Sequence, residues 1–137
     1  MKSLLILNTF LALTYSLAAQ SQTLPQNNQW LEKQLNLLTK DKKDDPSLFR
    51  FQDCQAKMEI KTGEEGMNFG MSLACNWNEI KQVSYRKEGG QYKLTFDIQN
   101  AGKEVNNFSF SLKTSEEKLV QEIKKRVEQN RQHCLTK

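Results

Sequence analysis

Hydrophobic and polar residues alternate in five runs through the middle of the chain, at positions 54–61, 67–77, 80–85, 92–98 and 108–112. A period of two is typical of β-strands, because successive side chains point to opposite faces of a sheet. Glycines at positions 63, 89 and 102 fall between the runs and predict turns. The centre of the chain is therefore predicted to form an antiparallel sheet with one packed face and one face in water.

Two segments outside these runs have the spacing of amphipathic helices. The first covers about residues 28–40, is capped by Asn27 or Asn28, and ends in a loop before Pro46. The second follows Thr114, which with Glu117 has the spacing of a capping box. Its apolar stripe consists of Leu119, Val120, Ile123, Val127, Asn130 and Cys134. We expect this stripe to pack against the sheet.

A short helix, five to seven antiparallel strands and a C-terminal helix together define an α+β fold. The first helix contains Trp30, the first predicted strand contains Cys54, and the last helix ends at Cys134. This arrangement resembles the pleckstrin-homology-like superfold, and it is similar to uncharacterised exported bacterial proteins of that shape. The resemblance implies a bent antiparallel sheet or partly open barrel, packed by the C-terminal helix.

The same resemblance brings Cys54 and Cys134 together and implies a disulfide between them. An odd number of cysteines leaves one thiol over. Cys75 lies among hydrophobic residues and is predicted to be a buried free thiol, although its pairing with another cysteine remains open. The first hairpin loop carries Glu64 and Glu65, and the last helix lacks the tryptophan usual in that superfold. These departures argue against phosphoinositide binding.

Roughly the first nineteen residues have the order of a secretory signal peptide, namely a basic residue, an apolar run and small residues. Lys2 supplies the charge, and Ser16 and Ala18 precede the cleavage position. The interrupted apolar run falls short of the roughly 20 residues that span a bilayer, which argues against an anchor. We predict a cleaved signal peptide at 1–19, a flexible start at 20–27 and one domain at 28–137. Such a protein is periplasmic or secreted.

The chain has 137 residues, of which 20 are Lys or Arg and 16 are Asp or Glu, and its net charge is +4. The two signs are interspersed, which is typical of a solvated surface. Nucleic acid is therefore not expected as a partner, and no later segment is apolar enough to be transmembrane.

Residue types that carry catalysis or bind metals are sparse in this sequence. The single histidine, His133, precedes Cys134 on the predicted helix, and the two side chains point in different directions. The cysteines lack the close spacing of zinc ligands, and no phosphate loop or nucleophile elbow is present. We therefore predict no catalytic residue, no metal and no cofactor.

These observations favour an exported, non-catalytic binding or interaction module whose partner is an envelope or extracellular protein. The predicted partner surface is either the outer sheet face, with Lys57, Lys61, Lys93 and Lys113, or the concave opening of the sheet. One alternative is a small-molecule carrier whose cavity is lined by Met58, Met67, Phe69, Met71, Trp77 and Phe96. Another is a hydrolytic enzyme that uses Asp53, Glu59, Glu79 or Asp97.

Overall fold

The computed structural model describes residues 23–40, 48–62, 69–99 and 106–135. It contains two α-helices, α1 (Leu24–Thr39) and α2 (Glu117–Leu135). The strands are β1 (Phe49–Gln52), β2 (Gln55–Thr62), β3 (Phe69–Asn76), β4 (Ile80–Glu88), β5 (Gln91–Ile98) and β6 (Asn106–Leu112). A short 3₁₀ helix, Trp77–Glu79, connects β3 to β4.

The strands form two three-stranded antiparallel sheets, sheet 1 in the order β1-β2-β3 and sheet 2 in the order β4-β5-β6. The predicted α+β class is confirmed, and the six described strands lie within the expected number. They form two ladders instead of one continuous sheet, because the chain leaves β3 through the 3₁₀ helix. The backbone N–H of Asn76 donates to the Glu79 carboxylate at 3.0 Å, which ends β3. Trp77, expected in the strand, lies in this 3₁₀ helix.

Two tight hairpins set the register within the sheets. The β1–β2 turn contains Asp53 with φ +51°, and the β4–β5 turn contains Gly89 with φ +55° and Gly90 with φ +82°. Two-residue hairpins favour this left-handed backbone, which glycine adopts freely and aspartate tolerates. In sheet 1 the register places Arg50 opposite Lys57.

One hydrophobic core contains residues from both sheets and both helices. Phe49 of β1 packs against Phe110 of β6, with ring centroids 5.1 Å apart, and Phe51 packs against Trp77 at 4.9 Å. The alternation predicted for β5 is observed, since Tyr92, Leu94, Phe96 and Ile98 are buried. Side-chain packing, rather than a shared backbone ladder, therefore joins the two sheets among the described residues.

Helix α1 begins four residues earlier than the sequence pattern predicted. Thr23 is the N-cap and forms a capping box with Gln26, and Pro25 lies in the first turn. Asn27 and Asn28, which we expected as caps, are buried inside the helix instead. The Thr-x-x-Gln spacing with an early proline was present in the sequence and marks this start.

Helix α2 has the predicted apolar stripe, with Val120, Ile123, Val127 and Asn130 buried. It begins at Glu117, and the hydroxyl of Thr114 accepts a hydrogen bond from the Glu116 N–H. The Glu117 carboxylate accepts instead from the Tyr85 hydroxyl at 3.3 Å. Within the described ranges, no helix is both long and apolar enough to cross a membrane.

A disulfide joins Cys54 in the β1–β2 turn to Cys134 near the end of α2, with Cα atoms 5.8 Å apart. This confirms the predicted pair. The bridge spans a sequence separation of 80 residues. Loop entropy assigns such a cross-link about 4 kcal/mol of stabilisation. Cys75 is a buried free thiol, also as predicted.

Candidate binding face on sheet 1

The outer face of sheet 1 is polar because its opposite face belongs to the core. Phe49, Phe51, Ala56, Met58 and Cys75 are buried. The intervening positions are exposed, and they are Arg50, Gln52, Gln55, Lys57, Glu59, Ala74 and Asn76. We call these seven residues the sheet 1 face.

Cross-strand pairing arranges this face in rows. One row is Gln52, Gln55 and Asn76, and the next is Arg50, Lys57 and Ala74. Two cations directly opposite each other on a sheet destabilise it. Neither Arg50 nor Lys57 forms an ion pair or a hydrogen bond through its side chain within the described part of the chain. The described residues therefore place two cations opposite each other without a direct ion pair to either one.

Three adjoining depressions lie over this face. The largest, about 370 Å³, is lined by Glu32, Arg50, Phe51, Gln52, Gln55 and Lys57. A second, about 240 Å³, lies beside Ala74, Asn76 and Glu79, and a third, about 210 Å³, lies beside Arg50 and Glu59. Lys57 lines all three. The cation pair thus occupies the centre of a shallow groove.

Three carboxylates border the cation pair. Glu32 accepts a hydrogen bond from the Phe51 N–H at 3.2 Å, and Glu79 accepts from the Asn76 N–H at 3.0 Å. Both carboxylates are therefore fixed by the backbone. Glu59 lies two residues along β2 from Lys57 and so points to the same side of the sheet. The groove has a small positive centre inside a negative rim.

Helix α1 covers the free edge of β1. The Asn36 side chain accepts from the N–H groups of Leu48 and Phe49, both at 2.9 Å, and donates to the Phe49 carbonyl at 3.0 Å. Glu32, one helical turn earlier, accepts from Phe51. Side chains at this spacing lie on one helix face. Two polar residues of α1 thus replace the strand that would otherwise pair with β1.

A buried amide network holds the β1–β2 turn in place. The Asn28 side chain donates to the Asp53 carbonyl at 3.0 Å. Its oxygen accepts from the Trp77 indole N–H at 3.2 Å and from the Asn130 side chain at 3.0 Å. Asn28 therefore connects α1, the turn, the 3₁₀ helix and α2 beside the Cys54–Cys134 disulfide. These contacts fix the position of the sheet 1 face relative to both helices.

Cys75 lies beneath the face and does not have the properties of a nucleophile. Burial, and secondarily the negative charge of Glu79, raise the pKa of Cys75 from its ordinary value near 9.0 to about 12. The nucleophilic form of cysteine is the thiolate. At neutral pH the thiol therefore stays protonated, which makes it a poor nucleophile.

The residues of the predicted ligand cavity have several locations. Met58, Trp77 and Phe96 are buried in the hydrophobic core, each 1% exposed. Met67 lies outside the described residues, and the side chains of Phe69 and Met71 are likewise outside the description. The three described side chains, Met58, Trp77 and Phe96, do not line the three depressions on sheet 1.

The four predicted carboxylates are distributed over several elements. Asp53 lies in the β1–β2 turn, Glu59 in β2, Glu79 in the 3₁₀ helix and Asp97 in β5 of the other sheet. Across the described ranges, no group of three or more His, Cys, Asp and Glu side chains is arranged to hold a metal ion.

Of the four lysines predicted on the partner surface, Lys57 lies on sheet 1 and Lys93 on β5 of sheet 2. Lys113 follows β6 and donates to the Lys40 carbonyl, and the Lys61 side chain lies outside the description. The sequence analysis missed Arg50, because β1 is only four residues long. The alternation of Phe49 and Phe51 with Arg50 was the signal for it.

No protein-family model matches this chain, and comparisons with curated proteins and with solved structures also find no match. The functional argument therefore depends on the chemistry of the sheet 1 face.

Proposed function

We propose that the protein is an exported, non-catalytic interaction module that binds a single carboxylate of a partner protein on the sheet 1 face. The observation that carries the proposal is the Arg50–Lys57 pair at the centre of the groove, which forms no ion pair with any residue in the described part of the chain. Locally unfavourable arrangements in natural proteins concentrate at functional sites. A bound carboxylate would contact both cations and relieve their repulsion.

The negative rim favours a ligand with one carboxylate over a polyanionic ligand. Glu32, Glu59 and Glu79 border the groove, so a nucleic acid backbone or an anionic membrane would meet carboxylates on several sides. A lone Asp or Glu side chain of a partner fits between them. The amides of Gln52, Gln55 and Asn76 offer further hydrogen bonds to a peptide backbone.

Export of the protein to an oxidising compartment would account for the disulfide. Disulfides persist in oxidising compartments, and the Cys54–Cys134 bridge joins two distant elements of the domain. The signal-peptide pattern at 1–19 points to the same location. The pleckstrin-homology-like resemblance remains a prediction about the fold and does not enter the binding argument.

The first test uses two capped peptides that differ only in a central glutamate or glutamine. We expect the glutamate peptide to shift the NMR signals of β1, β2 and β3 in the isotope-labelled protein, and the glutamine peptide to do so much less. The double variant Arg50→Gln/Lys57→Gln should lose this difference, because both cations that contact the carboxylate are gone.

The matched control is Lys87→Gln/Lys125→Gln, which removes the same charge from exposed positions on β4 and α2. It should bind the glutamate peptide like the unaltered protein. Equal losses in the two double variants would indicate attraction by net charge alone and would refute a defined site.

A further inference from the structure

The outer edge of β3, with which no described strand pairs, is a second feature beside the cation pair. The Glu59 N–H donates to the Leu48 carbonyl and the Trp77 N–H donates to the Cys54 carbonyl, so odd residues of β2 face β1 and even residues face β3. With the observed register, β3 turns the backbone groups of its odd residues toward β2. The N–H and C=O of Ala74 therefore point away from the sheet.

The two edges of sheet 1 differ in whether other described residues bind their outward backbone groups. Asn36 and Glu32 of α1 bind the outward groups of β1. No described strand or side chain binds the outward groups of Ala74. Natural edge strands usually carry lysine or proline that discourages pairing with another chain. β3, with the sequence FGMSLACN, has neither and carries no charged residue.

We infer that the partner supplies an extended segment that pairs with the β3 edge and places its acidic side chain over Ala74, toward Lys57. This inference rests on the proposed function and names how the partner is held. Main-chain hydrogen bonds of such an added strand give affinity, and alternate side chains give specificity. The small side chain of Ala74 leaves Lys57, opposite it on β2, an open path to that carboxylate.

A partner protein fits this edge better than a second copy of the chain. Two β3 strands pairing with each other would contribute no carboxylate, because β3 has no acidic residue. They would also add a second Arg50–Lys57 pair to the same continuous face, and like charges repel. The occupant must therefore carry Asp or Glu within an extended segment.

The test selects binders of the mature protein from a phage-displayed library of short random peptides. We expect the selected peptides to combine one Asp or Glu with flanking β-branched residues. Hydrogen exchange should show the Ala74 amide protected by a selected peptide and unprotected in the free protein. The Ala74→Pro variant should bind about tenfold more weakly or worse, because the donor to the added strand is lost.

Two controls separate this effect from misfolding. Ala74→Ser retains the backbone donor and should bind more tightly than Ala74→Pro. Lys87→Pro places proline in the exposed end of edge strand β4 in sheet 2 and should also bind normally. Circular dichroism and unfolding of both proline variants should match the unaltered protein.

Each contrary outcome has a distinct meaning. Peptide binding that is lost in Arg50→Gln/Lys57→Gln but unchanged in Ala74→Pro would overturn strand pairing and leave the proposed function intact. Selected peptides that bind Arg50→Gln/Lys57→Gln and Ala74→Pro as tightly as the unaltered protein would overturn both proposals. A selection that enriches no peptide would do the same. Protection of the Ala74 amide in the free monomer would show that the chain covers its own edge. Protection that rises with protein concentration would show a second copy there, and either result would also refute the inference.

Discussion

The roles of individual side chains in this domain depend on their surroundings and cannot be predicted from residue type alone. Asn27 and Asn28 look like helix caps in the sequence, yet Asn28 is the centre of a buried network that includes the Trp77 indole. Cys75 carries a thiol, which is a reactive group, but its apolar environment suppresses ionisation of that thiol. Burial and partners therefore decide the chemistry of each residue.

Cys75 makes the stability of the domain sensitive to alkaline pH. Its pKa is raised to about 12 in the folded state, against about 9.0 unfolded, so the unfolded chain loses this proton first. Stability is then fully present below pH 9 and decreases as pH rises above it. Relative to Cys75→Ala, we expect an additional loss of about 1.4 kcal/mol between pH 8 and pH 10.

Urea unfolding of both proteins across this pH range measures the difference. Alkylation gives an independent check, since native Cys75 should react with iodoacetamide at pH 8 only after unfolding. Parallel pH profiles for the two proteins, or rapid labelling of the native thiol, would contradict a suppressed thiolate.

Among the elements, β1 depends most on its neighbours. It has only four residues, and it is held by β2 on one side and by the side chains of α1 on the other. Its alternation was too short to be recognised next to a loop, whereas the longer runs of β2 and β5 were predicted close to their observed bounds. The strand that positions Arg50 is thus the strand that the alternation of hydrophobic and polar residues predicts least well.

The variant Asn36→Ala should destabilise the domain by about 2–4 kcal/mol, because it leaves the buried N–H and C=O of Phe49 without partners. Hydrogen exchange should show the Phe49 amide opening more often, while amides of β5 change less. Lys33→Ala, an exposed change on the same helix, is the matched control. A loss in Asn36→Ala no larger than in this control would exclude edge capping as a stabilising contact.

At the scale of the whole molecule, the Cys54–Cys134 bridge connects the turn that begins β2 with the end of α2. Both sheets and both helices share one core, so freeing α2 at this end exposes that core to water. The bridge acts mainly by restricting the unfolded chain, and its effect grows with the length of the closed loop.

Replacing both cysteines, as in Cys54→Ser/Cys134→Ser, should lower the free energy of unfolding by about 4 kcal/mol. Reduced wild-type protein should unfold at a similar urea concentration, since its bridge is also open. Cys75→Ala, whose thiol is outside the bridge, should keep its sensitivity to reductant. A double variant as stable as the oxidised protein would contradict a stabilising role for the bridge.

The sequence by itself determined the α+β class, most strand positions and the apolar stripe of α2, because these follow from local periodicity of two and of 3.6 residues. It also placed Cys75 in the interior, since that residue shares a face with other hydrophobic side chains. The Cys54–Cys134 pairing was expected from a resemblance rather than from spacing, and the structure confirms it.

Only the tertiary structure decided which residues meet across the strands and which edges are covered. The opposition of Arg50 and Lys57 depends on the register of a short strand, and that register is set by the turn at Asp53. The capped edge of β1 depends on where α1 lies, and the β3 edge has no paired strand among the described residues. Such contacts join residues distant in the chain, so no local pattern of hydrophobic and polar positions encodes them.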